Sequence, residues 1–262
     1  MGGGTKLEVG GNNLFWEPLD YVIINNVIYR VTTVRTGSWF GPADGHAYIE
    51  GVPLSDEYHG LYPSTIQYSS DMIIFPRTYE YYGNGNQLLK PPMEGYSTGG
   101  RMELQHLAGA LEVSISNRLH HNLILDSIIV KSNKYCLSLI HGDWGVIDWP
   151  IAEIYGAPGL MNTSDKVSLQ FHDENAAFAV ISANDDISRS YIIPVHTVGD
   201  DNLFTITVIG HTNDLIETTY YKYQRTQSQP GALHRAVLAY VPVEMGSNSY
   251  TTISNEPFYD ID

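Results

Sequence analysis

Between Leu111 and Ser116 the chain alternates without a break: Leu111, Val113 and Ile115 point one way, Glu112, Ser114 and Ser116 the other. A period of two marks a half-buried strand. Asn117-Arg118-Leu119-His120-His121-Asn122 then interrupts with polar turn chemistry. A second apolar run follows from Leu123 to Val130, Lys131-Ser132-Asn133-Lys134 turns again, and a third run spans Tyr135 to Ile140. Strand, turn, strand, turn, strand predicts a β-meander at mid-chain, with the earlier residues packed on it and the later ones continuing from it.

The rest of the chain has the same grammar. Nineteen Tyr, 24 Gly and many β-branched residues in a chain of 262 favour strands. No stretch longer than about 12 residues keeps a helical period free of Gly, Pro or β-branched clusters. Tyr21-Val22-Ile23-Ile24, Asn25-Asn26, Val27-Ile28-Tyr29-Arg30-Val31 reads as a hairpin with a two-residue loop. Tyr58 to Tyr62 and Met72 to Phe75 read as strands, each stopped by a proline. Further strands are predicted at 166–171, 176–181, 191–195, 203–209, 217–223 and 236–242, with turns about every 8–12 residues, as in a sandwich. The length suits one large β domain or two of about 100–150 residues. The turn-rich crossing from Gly142 to Pro150 marks the boundary, giving units 1–142 and 143–262.

A hydrophobic fraction of 43% is enough for a real core and argues against disorder. The net charge of −15 repels phosphate backbones, so nucleic acid is not expected as a partner. Cys136 is the one cysteine, placed in an apolar run, so neither an internal disulfide nor a cysteine zinc site is expected. Met1-Gly2-Gly3-Gly4 is followed by no apolar core, so no signal peptide or membrane span is expected in this chain.

Several residues invite chemistry. Gly95-Tyr96-Ser97-Thr98-Gly99 matches G-x-S-x-G, the hydrolase nucleophile elbow. That elbow needs a buried strand before it, and Lys90-Pro91-Pro92 cannot supply one. A polar turn is therefore expected. His106, His120-His121, the pair His141 and Asp143, and His172-Asp173-Glu174 lack a spacing diagnostic of a metal. Asp185-Asp186 and Asp200-Asp201 read as turn residues, and no calcium loop or P-loop is present. No catalytic residue, cofactor or metal ligand is assigned. Trp144 and Trp149 are the candidate glycan-stacking residues, core packing being the competing role.

Five stretches in order carry a resemblance. They are Phe15-Trp16-Glu17 with Asp20-Tyr21-Val22-Ile23-Ile24-Asn25-Asn26 and Tyr29; Tyr58-His59-Gly60-Leu61-Tyr62-Pro63-Ser64; Phe75-Pro76-Arg77-Thr78-Tyr79; Pro92-Met93-Glu94-Gly95-Tyr96-Ser97; and Leu104-Gln105-His106-Leu107 through Ile115. Together these resemble the fimbrillin-like proteins of Bacteroidales, the type V pilin family. Leu19, Leu104 and Arg77-Thr78 depart from the family's usual Gly, Phe and Gln-containing positions. Beyond residue 150 only the strand pattern is shared.

The resemblance implies an all-β protein of two tandem transthyretin-like or Ig-like β-sandwiches, non-enzymatic and displayed at the cell surface. It implies outer-membrane association through a lipid anchor that this chain does not contain. Its implied partners are other pilus subunits, joined by β-strand complementation, and host or bacterial surface proteins or glycans. In such pilins cleavage after an early arginine opens a strand-accepting groove, which makes Arg35 the candidate processing site. The tail from Tyr250 to Asp262 is expected to fray rather than to act as a donor strand. A surface glycan-binding module, and a secreted hydrolase using Ser97 or a carboxylate pair, are the alternative functions.

Overall fold

The computed structural model describes residues 8–9, 12–13, 21–34, 47–62, 67–69, 72–74, 77–81, 93–102, 104–106, 109–134, 137–142, 160–172, 179–183, 188–195, 202–213, 217–228, 238–246 and 248–259. Among them are 23 strands and no helix, so the all-β expectation holds. In chain order the first half contains β1 (Glu8–Val9), β2 (Asn12–Asn13), β3 (Tyr21–Ile24), β4 (Val27–Arg30), β5 (Thr33–Val34), β6 (Ala47–Tyr48), β7 (Tyr58–Tyr62), β8 (Gln67–Ser69), β9 (Met72–Ile74), β10 (Thr78–Tyr81), β11 (Met93–Ser97) and β12 (Gln105–His106). Then come β13 (Gly109–Asn117), β14 (Leu123–Ser132), β15 (Ser138–Gly142), β16 (Leu160–Ser164), β17 (Lys166–Phe171), β18 (Val180–Ile181), β19 (Arg189–Val195), β20 (Leu203–Asn213), β21 (Thr218–Ser228), β22 (Leu238–Met245) and β23 (Thr251–Ser254).

The early residues form a sheet of order β12-β11-β7-β3-β4. Val22 and Ile24 of β3, Tyr58 and Tyr62 of β7, Met93, Met102 and Leu104 bury a core of their own. The predicted hairpin is present: Asn25 and Asn26 take φ of 48° and 65°, the left-handed pair that a two-residue turn needs. Asn25 also prolongs the β3–β7 ladder with its side chain. Its Nδ2 donates to Glu57 O at 3.0 Å, and its Oδ1 accepts from His59 N at 2.8 Å. Asn25→Gly, which keeps the turn but loses both bonds, is expected to cost about 1–2 kcal/mol. Asn25→Ala, less tolerant of positive φ, should cost about 1 kcal/mol more. Urea melts of the two variants check this order.

The larger core joins two sheets. One runs β10-β17-β14-β20-β21-β23, with β18 also paired to β14; the other is β19-β13-β22. Leu111, Val113 and Ile115 of β13 share one buried cluster with Leu125, Ile128 and Val130 of β14 and with Phe204, Ile206 and Val208 of β20. This is sandwich packing.

One sequence expectation is corrected here. The predicted meander does not form. β13 pairs with β19 and β22, whereas β14 pairs with β17, β18 and β20, so the two strands belong to opposite sheets. Arg118 to Asn122 is a crossover between layers, and period two reports which face is buried, not which strand lies alongside. Strand pairing also crosses the expected 142/143 boundary. Strands on both sides of it build the larger core, and the change from one core to the other falls between Leu104 and Leu111.

Prolines mark the edges. Pro194 lies in β19 and Pro242 in β22, the outer strands of the three-stranded sheet, where a missing N–H faces away from the ladder. β22 therefore continues through Pro242 to Met245 instead of ending there.

Candidate functional site

Strand edges dominate the chemistry of this molecule. β10, from the first half of the chain, lies parallel to β17 in the second, with Thr78 opposite Ser168 and Tyr81 opposite Phe171. Ser168 N donates to Arg77 O at 2.8 Å, Ser168 Oγ donates to Thr78 Oγ1 at 3.2 Å, and His172 Nε2 contacts the Glu80 carboxylate. Tyr79 packs on the larger core. An edge of the C-terminal sheet is thus completed by main-chain bonds and one inserted ring from a distant segment, the two elements of strand addition.

Burial holds the Tyr79 phenol well above its ordinary value of 10.0. Above pH 10 the unfolded chain therefore sheds a proton that the folded chain keeps, and stability falls as pH rises toward the folded value. Wild type should lose more stability than Tyr79→Phe between about pH 9 and about pH 11 in paired urea melts. Equal losses would mean that the phenol is not desolvated.

The opposite situation holds at β4. No described strand pairs its outer edge. Val27 is 51% and Ile28 59% exposed, and Arg30 is the one charge on the strand. Exposed apolar edges are templates for pairing, which proteins usually blunt with charge, proline or cover.

A cleft of about 460 Å³ opens where the tail crosses the seven-stranded sheet, lined by Asp126, His211, Asn213, Thr218, Tyr220, Pro257 and Phe258. Its floor comes from a β-bulge. Leu125 pairs with Gly210 and Ser127 with Ile209, so Asp126 is the extra residue of β14. Gly210 permits that approach, because a Cβ there would meet Ile124 O at 2.6 Å. The bulge brings Asp126 Oδ1 to 2.8 Å from His211 Nδ1, and His211 is 6% exposed. The tail is not frayed from Tyr250 onward: it is paired as far as Ser254 and reaches the cleft with Pro257 and Phe258. β23 pairs with β21, Gln224 N donates to Tyr250 O at 2.9 Å, and Arg225 lies 5.1 Å from the Tyr250 ring centroid.

The residues singled out from sequence scatter. Arg35, Cys136, Asp143, Trp144, Trp149, Asp173, Glu174, Asp185, Asp186, Asp200 and Asp201 lie outside the described residues. Ser97 ends β11 and closes a turn: its Oγ accepts from Gly99 N at 3.1 Å and contacts the Gly99 and Arg101 carbonyl oxygens. No helix follows it, so the elbow geometry is not formed. His106 lies on β12 opposite Met93, and His141 on β15 opposite Ile73 and Leu160. His120 and His121 are exposed in the crossover. Among the described residues no group of three or more His, Cys, Asp or Glu side chains is placed to hold a metal. The Asp126–His211 pair was not anticipated. Its one trace in sequence is the carboxylate interrupting the apolar run Leu123-Ile124-Leu125-Asp126-Ser127-Ile128.

No family model and no curated protein matches the chain. Among solved structures it is similar to candidate cell adhesion proteins from three Bacteroides species. The Bacteroides ovatus protein is 13% identical, with 94% of this chain and 90% of that one covered at a TM-score of 0.43. The Bacteroides uniformis protein is 12% identical, with 91% and 90% covered at 0.47. The Bacteroides fragilis protein is 10% identical, with 98% and 93% covered at 0.46. Likeness at these scores carries no inference about what this chain does.

Proposed function

We propose that this chain is a non-enzymatic structural and adhesive protein of the cell surface, a fimbrillin-like subunit that joins its neighbours by β-strand pairing. The observation that carries the reading is the outer edge of β4, unpaired among the described strands and bearing Val27 and Ile28 in solvent. A strand from a neighbouring subunit adds there through main-chain hydrogen bonds, and its side chains cover the two exposed aliphatics. Repeated head to tail, such a contact does not close, and a filament results. The docking of β10 on β17 supports the reading, since it is strand addition carried out within one chain. The ordered fimbrillin-like signatures before residue 130 support it independently. The three structural neighbours bear the same coarse description, but the weight rests on the edge and the signatures.

Electron microscopy and sizing of the full-length chain test the proposal. Wild type is expected to form filaments or SDS-resistant multimers, and a Val27→Lys, Ile28→Lys double variant to remain monomeric. The same chain should be accessible to antibody on intact cells. A monomer at every concentration, with no surface exposure, would sink the reading.

A further inference from the structure

We infer that the cleft between the β20–β21 hairpin and the C-terminal tail is a binding site for a neutral saccharide. At about 460 Å³ it falls within the range of roughly 300–1,000 Å³ typical of small-ligand sites. Its lining combines two kinds of surface. Asp126, Asn213, Thr218 and Tyr220 bring carboxylate, amide, hydroxyl and phenol groups to one wall, while Pro257 and Phe258 form an apolar rim.

The polar wall is built, not incidental. Asp126 reaches it only because the bulge in β14 adds a residue between Leu125 and Ser127. Bulges re-aim side chains in this way beside functional sites. His211, nearly buried, fixes that carboxylate at 2.8 Å, and its ring packs 5.8 Å from the ring of Tyr220. Thr218 Oγ1 donates to Asn213 Oδ1 at 3.1 Å, which leaves the amide nitrogen as the donor side of Asn213. The Lys222 ammonium lies 5.9 Å from the Phe258 ring centroid, a contact that helps to hold the tail.

The ligand class follows from what such walls satisfy. A pyranose presents adjacent hydroxyls, each both donor and acceptor, along its edge and a C–H face to an aromatic ring. Carboxylate and amide oxygens with an amide donor match the edge, and Phe258 matches the face. An anion is disfavoured, because a carboxylate lines the cleft, and among the described residues the lining holds no Lys or Arg, Lys222 reaching only the Phe258 ring. A calcium ion needs six to eight oxygens, and among the described residues this wall brings one carboxylate, one amide and two hydroxyl groups. The site lies on β14, β20, β21 and the tail and does not involve β4, so it stands or falls apart from strand pairing.

Saturation-transfer NMR on the full chain, with a panel of neutral hexoses, deoxyhexoses, N-acetylhexosamines and their oligomers, tests the assignment. At least one saccharide should bind, and Phe258→Ala and Asn213→Ala should each weaken it by about tenfold or more while melting as wild type does. Both side chains sit at the surface of the cleft, so folding should survive either change. No binding by any panel member, or equal binding by wild type and both variants, would overturn the inference. So would a cleft that responds only to calcium or manganese ions.

Discussion

A fragment of residues 143–262 is expected to stay unfolded, with neither the far-UV dichroism of strands nor dispersed amide resonances. It lacks β14, leaving β17 and β20 without the strand that joins them, and it lacks β13, leaving β19 and β22 without theirs. It also loses Leu111, Val113, Ile115, Leu125, Ile128 and Val130 from the shared core, each nearly or fully buried. Removing one such side chain costs about 2–5 kcal/mol, against a typical total stability of about 5–15 kcal/mol. Residues 104–262, by contrast, retain every buried member of that cluster from Leu111 to Met245 and are expected to fold. That longer fragment has an empty place beside β17, and a peptide spanning residues 77–81 should restore part of its lost stability. Independent folding of 143–262 would refute the cross-pairing described above.

The second large effect is expected at Asn117. This residue is fully buried where the chain leaves one sheet for the other. Its Nδ2 is 2.9 Å from His121 O, 3.0 Å from Ile181 O and 3.1 Å from Ser182 O, and its Oδ1 accepts from Leu119 N at 2.9 Å. One amide thus satisfies both the crossover and the end of β18. Asn117→Ala strands these backbone groups without water, and each buried group left unsatisfied costs about 1–3 kcal/mol. A loss of about 3 kcal/mol or more is expected in urea unfolding. Asn117→Asp should not rescue it, because a carboxylate cannot donate to the three carbonyls. A loss below about 1 kcal/mol would show that the crossover tolerates an empty position.

These two sites also show where sequence reading succeeds and where it stops. Local chemistry was legible. Asn25-Asn26 announced its hairpin, and the apolar positions of Lys166–Phe171 gave that strand its observed limits. Long-range choice was not. The alternation from Leu111 to Ser116 says that one face is buried, yet both neighbours of β13 lie beyond residue 188. Asn117 read as a turn residue because a buried amide serving a crossover has the same composition as a hairpin loop. β10 pairs with a strand 90 residues later, and nothing in Thr78-Tyr79-Glu80-Tyr81 marks that partner. The Asp126–His211 pair depends on a bulge, which shows in sequence only as a break in alternation. The edges of β4 and β10 follow from the sheet order and therefore had to wait for it.

The most direct measurement is amide exchange along β4 in the monomer and in the assembled fraction of the full-length chain. If neighbouring subunits add a strand at this edge, amides of Ile28 and Arg30 should exchange about tenfold or more slowly after assembly, while those of buried β14 remain as they were. Assembly that leaves β4 exchanging at its monomer rate, or protection confined to another edge, would contradict the account.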